Sequence, residues 1–305
     1  MISTHKHKKL TWVDLENPTK QEILSLAEEY KIHPLVANEL LTESERAKVN
    51  VYDDLMYLIL HFPKYDRQTG EISAQEVDFV IGSDFLITTH YESITPILET
   101  SKIFESNAIL NRGNTDTHAG FLFYLIMQKM YEYTEFELDH VNRKIKNVEQ
   151  KIFKKRNDVM LVEEISSVGK EIIDLKNSIK THGEILNSYE IAAKDFFGNK
   201  YMYYVMAISG EFNKIWNNLD GIKDIFDELK NTNDSLFSAR ANDTMKNLTI
   251  IAFLTMPLSL LAAIFGMGVR STPFYTSDGG FWAVVSIMAV ASIANFIFFK
   301  YKQWM

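Results

Sequence analysis

Cysteine is absent from this 305-residue chain. Its absence excludes a disulfide scaffold and thiolate metal sites. Positive charge is also in short supply. Lys and Arg number 32 against 40 Asp and Glu, a net charge of −8. That balance argues against a dedicated nucleic-acid binder, which presents a basic face. Gly-rich phosphate loops, zinc-protease helices and nucleophile elbows are missing too, so the chain is not expected to be an enzyme. The opening "MISTHKHKKLTW" is basic but lacks the apolar centre of a signal peptide. The first 240 residues are therefore expected not to be exported. The eight histidines show no spacing that argues for a zinc site. His5 and His7 are expected in a mobile terminal segment, and His33, in "IHPL", is expected to pack structurally.

What the chain does have is concentrated near its end. Leu248–Met267, "LTIIAFLTMPLSLLAAIFGM", is 20 residues without a charge, and Phe281–Phe299, "FWAVVSIMAVASIANFIFF", is 19. At 1.5 Å per residue each can cross a hydrocarbon core of about 30 Å. The competing reading is a pair of buried helices in a soluble core. Pro257 does not defeat the first span, because membrane helices tolerate proline when neighbours satisfy the freed carbonyl. Arg240 and Lys246 precede the first span and Lys300 and Lys302 follow the second, whereas the loop Gly268–Gly280 carries only Arg270. Basic residues stay on the cytoplasmic side. Both termini are thus expected in the cytoplasm, with a short loop outside. Trp282, Tyr301 and Trp304 suit interfacial anchoring.

The N-terminal part reads as mixed α/β. "TWVDL" is a short strand, and Asn17-Pro18 is expected to cap a helix that runs to about Tyr30. "MYLILHF" reads as a buried strand, and "EVDFVIGSDFLITTH" as a hairpin turning at Gly82-Ser83-Asp84. After Asp116 the pattern becomes helical. Leu138, Val141, Ile145, Val148 and Ile152 step by 3 and 4, and Ile165, Val168, Ile172, Leu175 and Ile179 repeat that spacing. Such alternation predicts two antiparallel helices packed along a seam, turning at "KKRND". A third helical run starts near Tyr201 and keeps the seam through Ile215, Leu219, Ile222, Phe226, Leu229 and Leu236. It is expected to enter the membrane unbroken as a helix of about 100 Å, unless Gly210 or Gly221 breaks it.

Two helices per chain cannot enclose a water path, so a pore must be assembled from several copies. In the first span Asn242, Met245, Thr249, Ala252, Met256, Ser259, Ala263 and Gly266 recur at steps of three or four, a small or weakly polar face. Ile250, Ile251, Leu254, Leu258, Leu261 and Phe265 form the opposite, apolar face. Small residues serve close helix packing equally well, so this face alone leaves pore and packing open. The second span is more uniformly apolar and is assigned to an outer ring.

"TIIAFLTMPLSLLAAIFGMG", a short loop with a proline, and a second span ending in lysines resemble the CorA superfamily of divalent-cation transporters. "WVDLENPTKQE", "IHPLVANELL", "KVNVYDDLMYLIL" and "VDFVIGSDFLITTH" resemble the corresponding CorA segments in the same order. The resemblance implies an α/β cytoplasmic domain, long stalk helices and two C-terminal transmembrane helices, assembled as a homopentameric funnel. It implies that Asn242, Met245, Leu248 and Met256 face the pore and that the Met and Leu rings form a hydrophobic gate. Such a collar works by dewetting. The implied cargo is Mg2+, with Co2+ or Ni2+ as further candidates, and the implied partners are other copies of the chain and the lipid bilayer.

One departure stands out. The family signature at the external mouth is Gly-Met-Asn, whereas this chain has Gly266-Met267-Gly268. Five asparagine carbonyls would hold a cation through its water shell, which suits an ion that dehydrates reluctantly. Glycine offers only backbone carbonyls and a wider ring. Pro273 is followed by Phe274 instead of an acidic residue, and Asp278 is offset by Arg270. Gly268 marks an engineered substitution, a natural member with another selectivity, or a member that does not conduct. A relative of the zinc-transporting ZntB type also lies within the superfamily, although no residue specifically supports it.

In the family, intracellular magnesium between neighbouring subunits holds the pore shut. Glu211, Asp220, Asp224 and Asp227 are candidate regulatory ligands; the last three share a helical face. Placement against the family's stalk sensor lands near Ala207, and a solvated acidic face is the competing reading. The chain thus divides into an α/β domain (1–115), a helical and stalk region (116–247), a pore helix (248–267), an external loop (268–280), a second span (281–299) and a basic tail (300–305). A two-span receptor or scaffold is the rival function, but it calls for a larger external domain than this loop.

Overall fold

The computed structural model describes residues 1–44, 46–66, 69–105, 118–154, 159–267 and 279–301. The chain forms two compact units, Met1–Leu229 and Lys230–Met305. The first is built on a six-stranded sheet. Its strands are β1 (Ile2–His7), β2 (Leu10–Glu16), β3 (Lys48–Val51), β4 (Met56–Tyr65), β5 (Ile72–Ile81) and β6 (Phe85–His90), in the order β1-β2-β6-β5-β4-β3. β2 and β6 run parallel, and every other pair is antiparallel. The β5–β6 hairpin has the expected turn, with Ile81 opposite Leu86.

Both faces of the sheet are covered, and β4 accordingly opens with a continuous buried apolar run, Met56–Leu60. On one face Val13, Leu15, Tyr57, Ile59, Val80 and Ile87 form a core with side chains of α1 (Lys20–Glu29) and α2 (Pro34–Glu39). The other face meets α3 (Thr95–Glu105), α4 (Ala119–Phe153) and α6 (His182–Phe197). There Trp12 stacks edge-on to Phe104 at 5.9 Å, Phe79 to Phe123 at 5.0 Å, and Phe62 to His182 at 4.9 Å.

α4 and α5 (Val159–Ile179) are the expected seam helices, and all ten named seam residues are buried. Lys144 bonds Glu171 at 2.7 Å and Lys151 bonds Glu164 at 2.6 Å, a register that makes the pair antiparallel. Within the expected turn, residues 155–158 lie outside the described residues.

Several local expectations are corrected. His5 and His7 do not lie in a mobile segment. They belong to β1, which pairs with β2 along its whole length. The cap of α1 is Thr19, not Asn17. The Thr19 hydroxyl accepts from the Glu22 amide while the Glu22 carboxylate accepts from the Thr19 amide at 2.7 Å, a reciprocal capping box. Asn17 instead takes a left-handed conformation with φ 45°. His33 caps α2, its Nδ1 accepting from the Leu35 amide at 3.2 Å. α2, α3 and α6 were not foreseen. α7 (Met202–Gly266) runs through Gly210 and Gly221 without a break.

Candidate functional site: the two apolar helices

The second unit holds the C-terminal part of α7 and α8 (Gly280–Tyr301). Both are long and apolar enough to cross a membrane. Their surfaces decide against the soluble-core reading. Leu248, Phe253, Met256 and Leu260 are 58, 55, 73 and 61% exposed, and Val290 is 67% exposed. A core helix would bury these side chains; a lipid-facing helix leaves them out.

The Ser and Thr hydroxyls in these segments are locally satisfied. The hydroxyls of Thr249, Thr255 and Ser259 donate to the carbonyls of Met245, Ile251 and Thr255 at 2.8–3.0 Å. Ser286 and Ser292 do the same in α8, to Trp282 and Met288 at 2.8 Å. Donors so occupied need no water, which is what a hydrocarbon environment demands. Pro257 sits inside α7. Having no N–H, it frees the carbonyl of Phe253 from its helical bond.

The helix has two unlike sides. Ile250 is buried, and Leu254, Pro257, Leu258, Leu261 and Phe265 are partly buried, a stripe at steps of three and four. A matching stripe on α8 runs through Val284, Met288, Ala291, Asn295 and the buried Phe299. The rings of Phe253 and Phe299 lie 6.3 Å apart. α8 therefore lies along the apolar side of α7. The opposite side is left open: Asn242, Met245, Leu248, Ala252, Met256, Ser259, Ala263, Gly266 and Met267 are exposed, and Thr249 is partly buried. Ile251, read from sequence with the apolar side, is also exposed. Gly268, Arg270, Pro273, Phe274, Asp278, Lys302 and Trp304 lie outside the described residues. Trp282 and Tyr301 are exposed near the two ends of α8, as anchoring requires.

The candidate regulatory acids lie on the earlier part of α7. Asp220 binds Lys176 at 2.5 Å, and Asp227 binds Lys223 at 2.6 Å. Lys176 also lies 4.9 Å over the Trp216 ring. Asp224 is exposed and Glu211 partly buried. Among the described residues, no three His, Cys, Asp or Glu side chains of one chain are grouped to hold a metal.

Sequence reasoning missed the polar groups buried in the sheet: Asp14, Glu76, Asp78, Thr88, Thr89 and His90. In β2 and β5, Asp14, Glu76 and Asp78 alternate with apolar residues, which is the signal of a solvated strand face, whereas Thr88, Thr89 and His90 are consecutive. Only the helices packed on the sheet turn these positions into an interior.

These features define a class: a membrane protein with two adjacent C-terminal apolar helices and an N-terminal α/β unit. The family model described as CorA-like Mg2+ transporter protein matches residues 7–301, and the chain belongs to that family. The family is one of divalent-cation transporters, not enzymes. The chain is 22% identical over 298 residues to the cobalt/magnesium transport protein CorA of Thermotoga maritima, covering 97% of this chain and 83% of that one. It is 22% identical over 321 residues to a magnesium transport protein CorA of Helicobacter pylori, covering 98% and 92%. Its fold is that of the CorA magnesium transporter from Methanocaldococcus jannaschii, with a TM-score of 0.84 at 19% identity over 98% of this chain and 93% of that one.

Proposed function

We propose that this chain is a channel-type transporter of Mg2+ or related divalent cations, Co2+ and Ni2+ among them. It acts as a homopentamer in the cytoplasmic membrane, both termini in the cytoplasm. The observation that carries this reading is the two-sidedness of α7. α8 takes its apolar side and leaves open the side bearing Asn242, Thr249, Ala252, Ser259 and Ala263. Copies arranged about an axis would turn that side to water, with α8 outward. The relatives named for magnesium and cobalt transport support the choice of cargo. The excess of Lys and Arg flanking the two spans over the loop between them supports the orientation.

In this reading Met245, Leu248 and Met256 form apolar collars that exclude hydrated ions when the pore is narrow. Gly266, Met267 and Gly268 form the external mouth. Glycine in place of the family's asparagine removes a ring of side-chain carbonyls and weakens selection for hydrated magnesium. Glu211, Asp220, Asp224 and Asp227 supply carboxylates to a regulatory cation between neighbouring chains, in competition with Lys176 and Lys223. Residues 1–115 and 116–247 form the cytoplasmic and stalk portions.

Uptake of magnesium into proteoliposomes tests the reading. The wild type is expected to take up magnesium, and Gly268→Asn to gain discrimination for it together with stronger block by hexamminecobalt. No uptake by either would refute transport. Equal uptake and equal block would refute only the role of Gly268.

A further inference from the structure

Glu76 and Asp78 are neighbours on one face of β5, two residues apart. Asp78 lies between Ile59 of β4 and Thr89 of β6, on the side covered by α1 and α2. Asp78 is fully buried and Glu76 is 3% exposed. Among the described residues, neither oxygen of Asp78 meets a hydrogen-bond donor, and neither does Oε1 of Glu76. The two carboxyl groups thus share one buried face of a single strand, with three oxygens that no donor reaches. Two ionised carboxylates there would both be acceptors and would repel each other, so the arrangement favours a proton on one.

Among the described residues, no donor reaches the three free oxygens of the pair. The second oxygen of Glu76 is already taken: Oε2 accepts from the Ser44 amide at 2.5 Å, with His61 Nε2 at 3.6 Å. His61 Nε2 itself donates to the Ser44 carbonyl at 2.8 Å. Lys48 on β3 is paired with Glu39 at the end of α2. Among the described residues, the hydroxyls of Tyr57, Thr89 and Tyr91 make no hydrogen bond. Glu43 adds a further negative charge across a cavity of about 440 Å³, which it lines with Ser44, His61, Glu76, Asn177 and Thr181. Of the pair, Glu76 lines that cavity and Asp78 does not.

We propose that Glu76 and Asp78 hold one exchangeable proton between their carboxyl groups, a proton-binding site inside the sheet that the cavity beside Glu76 connects to solvent. Burial, then the charge and hydrogen bond of Glu76 and the charge of Glu39, hold the Asp78 carboxyl well above the usual carboxylate range, against the pull of Lys48. Both Asp78 oxygens lack a donor whereas Glu76 accepts from the Ser44 amide, so the proton sits on Asp78. Loss of the proton leaves two adjacent buried carboxylates. Glu76 then swings toward the cavity and releases the Ser44 amide. The site is independent of transport and stands or falls separately from it.

The sign of the pH dependence follows from linkage. The folded chain holds this proton more tightly than the unfolded one, so its stabilisation is complete at low pH. It declines as pH rises toward the pair's own titration. The experiment uses the full-length protein in detergent with ¹³C-carboxyl-labelled aspartate. Infrared spectra at neutral pH are expected to show a protonated aspartate band in the wild type that Asp78→Asn removes. The thermal midpoint of the wild type is expected to fall as pH rises from about 4, the ordinary carboxyl value, more steeply than that of Asp78→Asn. Should Asp78→Asn not fold, Glu76→Gln serves: it is expected to lose the band at lower pH than the wild type. Absence of the band in the wild type, its survival in Asp78→Asn, or its erasure by magnesium chloride at neutral pH would overturn the assignment. The last result would make the pair a metal site instead.

Discussion

His182 and His90 are both buried, yet their proton affinities shift in opposite directions because their partners differ. His182 Nε2 donates to the His61 carbonyl at 2.8 Å, so Nδ1 is the free acceptor that takes the Tyr131 hydroxyl at 3.0 Å. Burial drives the imidazole down to about 3. The unfolded chain therefore binds this proton more readily, and stability falls as pH drops below about 6.5, the ordinary imidazole value. Tyr131→Phe, which strands the buried Nδ1, is expected to cost about 1–3 kcal/mol in denaturant unfolding. His90 behaves the other way. Burial pushes it down, but the hydrogen bond and charge of Asp14, with the Glu92 carbonyl, outweigh burial and hold it above its usual value. Its stabilisation is complete below the ordinary imidazole range and is lost as pH rises through the raised value. Asp14→Asn leaves only the Glu92 carbonyl and the Glu16 charge against burial, so an NMR titration is expected to find the His90 pKa lowered relative to the wild type. None of these roles was legible in the sequence, since a lone histidine carries no sign of what folds against it.

At the scale of elements, periodic apolar patterns were legible and polar or short segments were not. The α4 and α5 seams follow from their 3,4 spacing because a helix must bury one stripe. α6 escaped because its limits are tertiary. It begins at His182, which the sheet and Tyr131 hold in place. β1 escaped because "ISTHKH" is polar, and an edge strand needs only one bonded neighbour and little apolar surface. The β5–β6 turn depends on Gly82: a Cβ there would lie 2.2 Å from the Phe85 ring. Gly82→Ala is expected to destabilise the fold by about 1–3 kcal/mol through overpacking, measured by denaturant unfolding. The two ion pairs of the α4–α5 hairpin are unequal. Glu171 is 4% exposed, so Lys144→Met strands a buried carboxylate and is expected to cost about 1–3 kcal/mol. The Lys151–Glu164 pair is more open, and Lys151→Met is expected to cost under about 1 kcal/mol. Comparing the two unfolding midpoints checks the ordering.

For the whole molecule, the absence of cysteine becomes a tool, because single cysteines can be placed without background. In the reconstituted protein, Met256→Cys and Ser259→Cys are expected to react with a water-soluble thiol reagent, and Ile251→Cys and Val290→Cys to resist it. The reverse pattern, or a monomer in lipid, would remove the pore. Two apolar spans, their flanking charges and the family were determined by the sequence alone, because crossing hydrocarbon demands about 20 uncharged residues however the rest folds. Tertiary structure alone decided which side of α7 is covered by α8, and which polar residues of the sheet lie inside the protein. Periodicity describes one element in isolation, whereas burial and proton affinity depend on what the rest of the chain places against it.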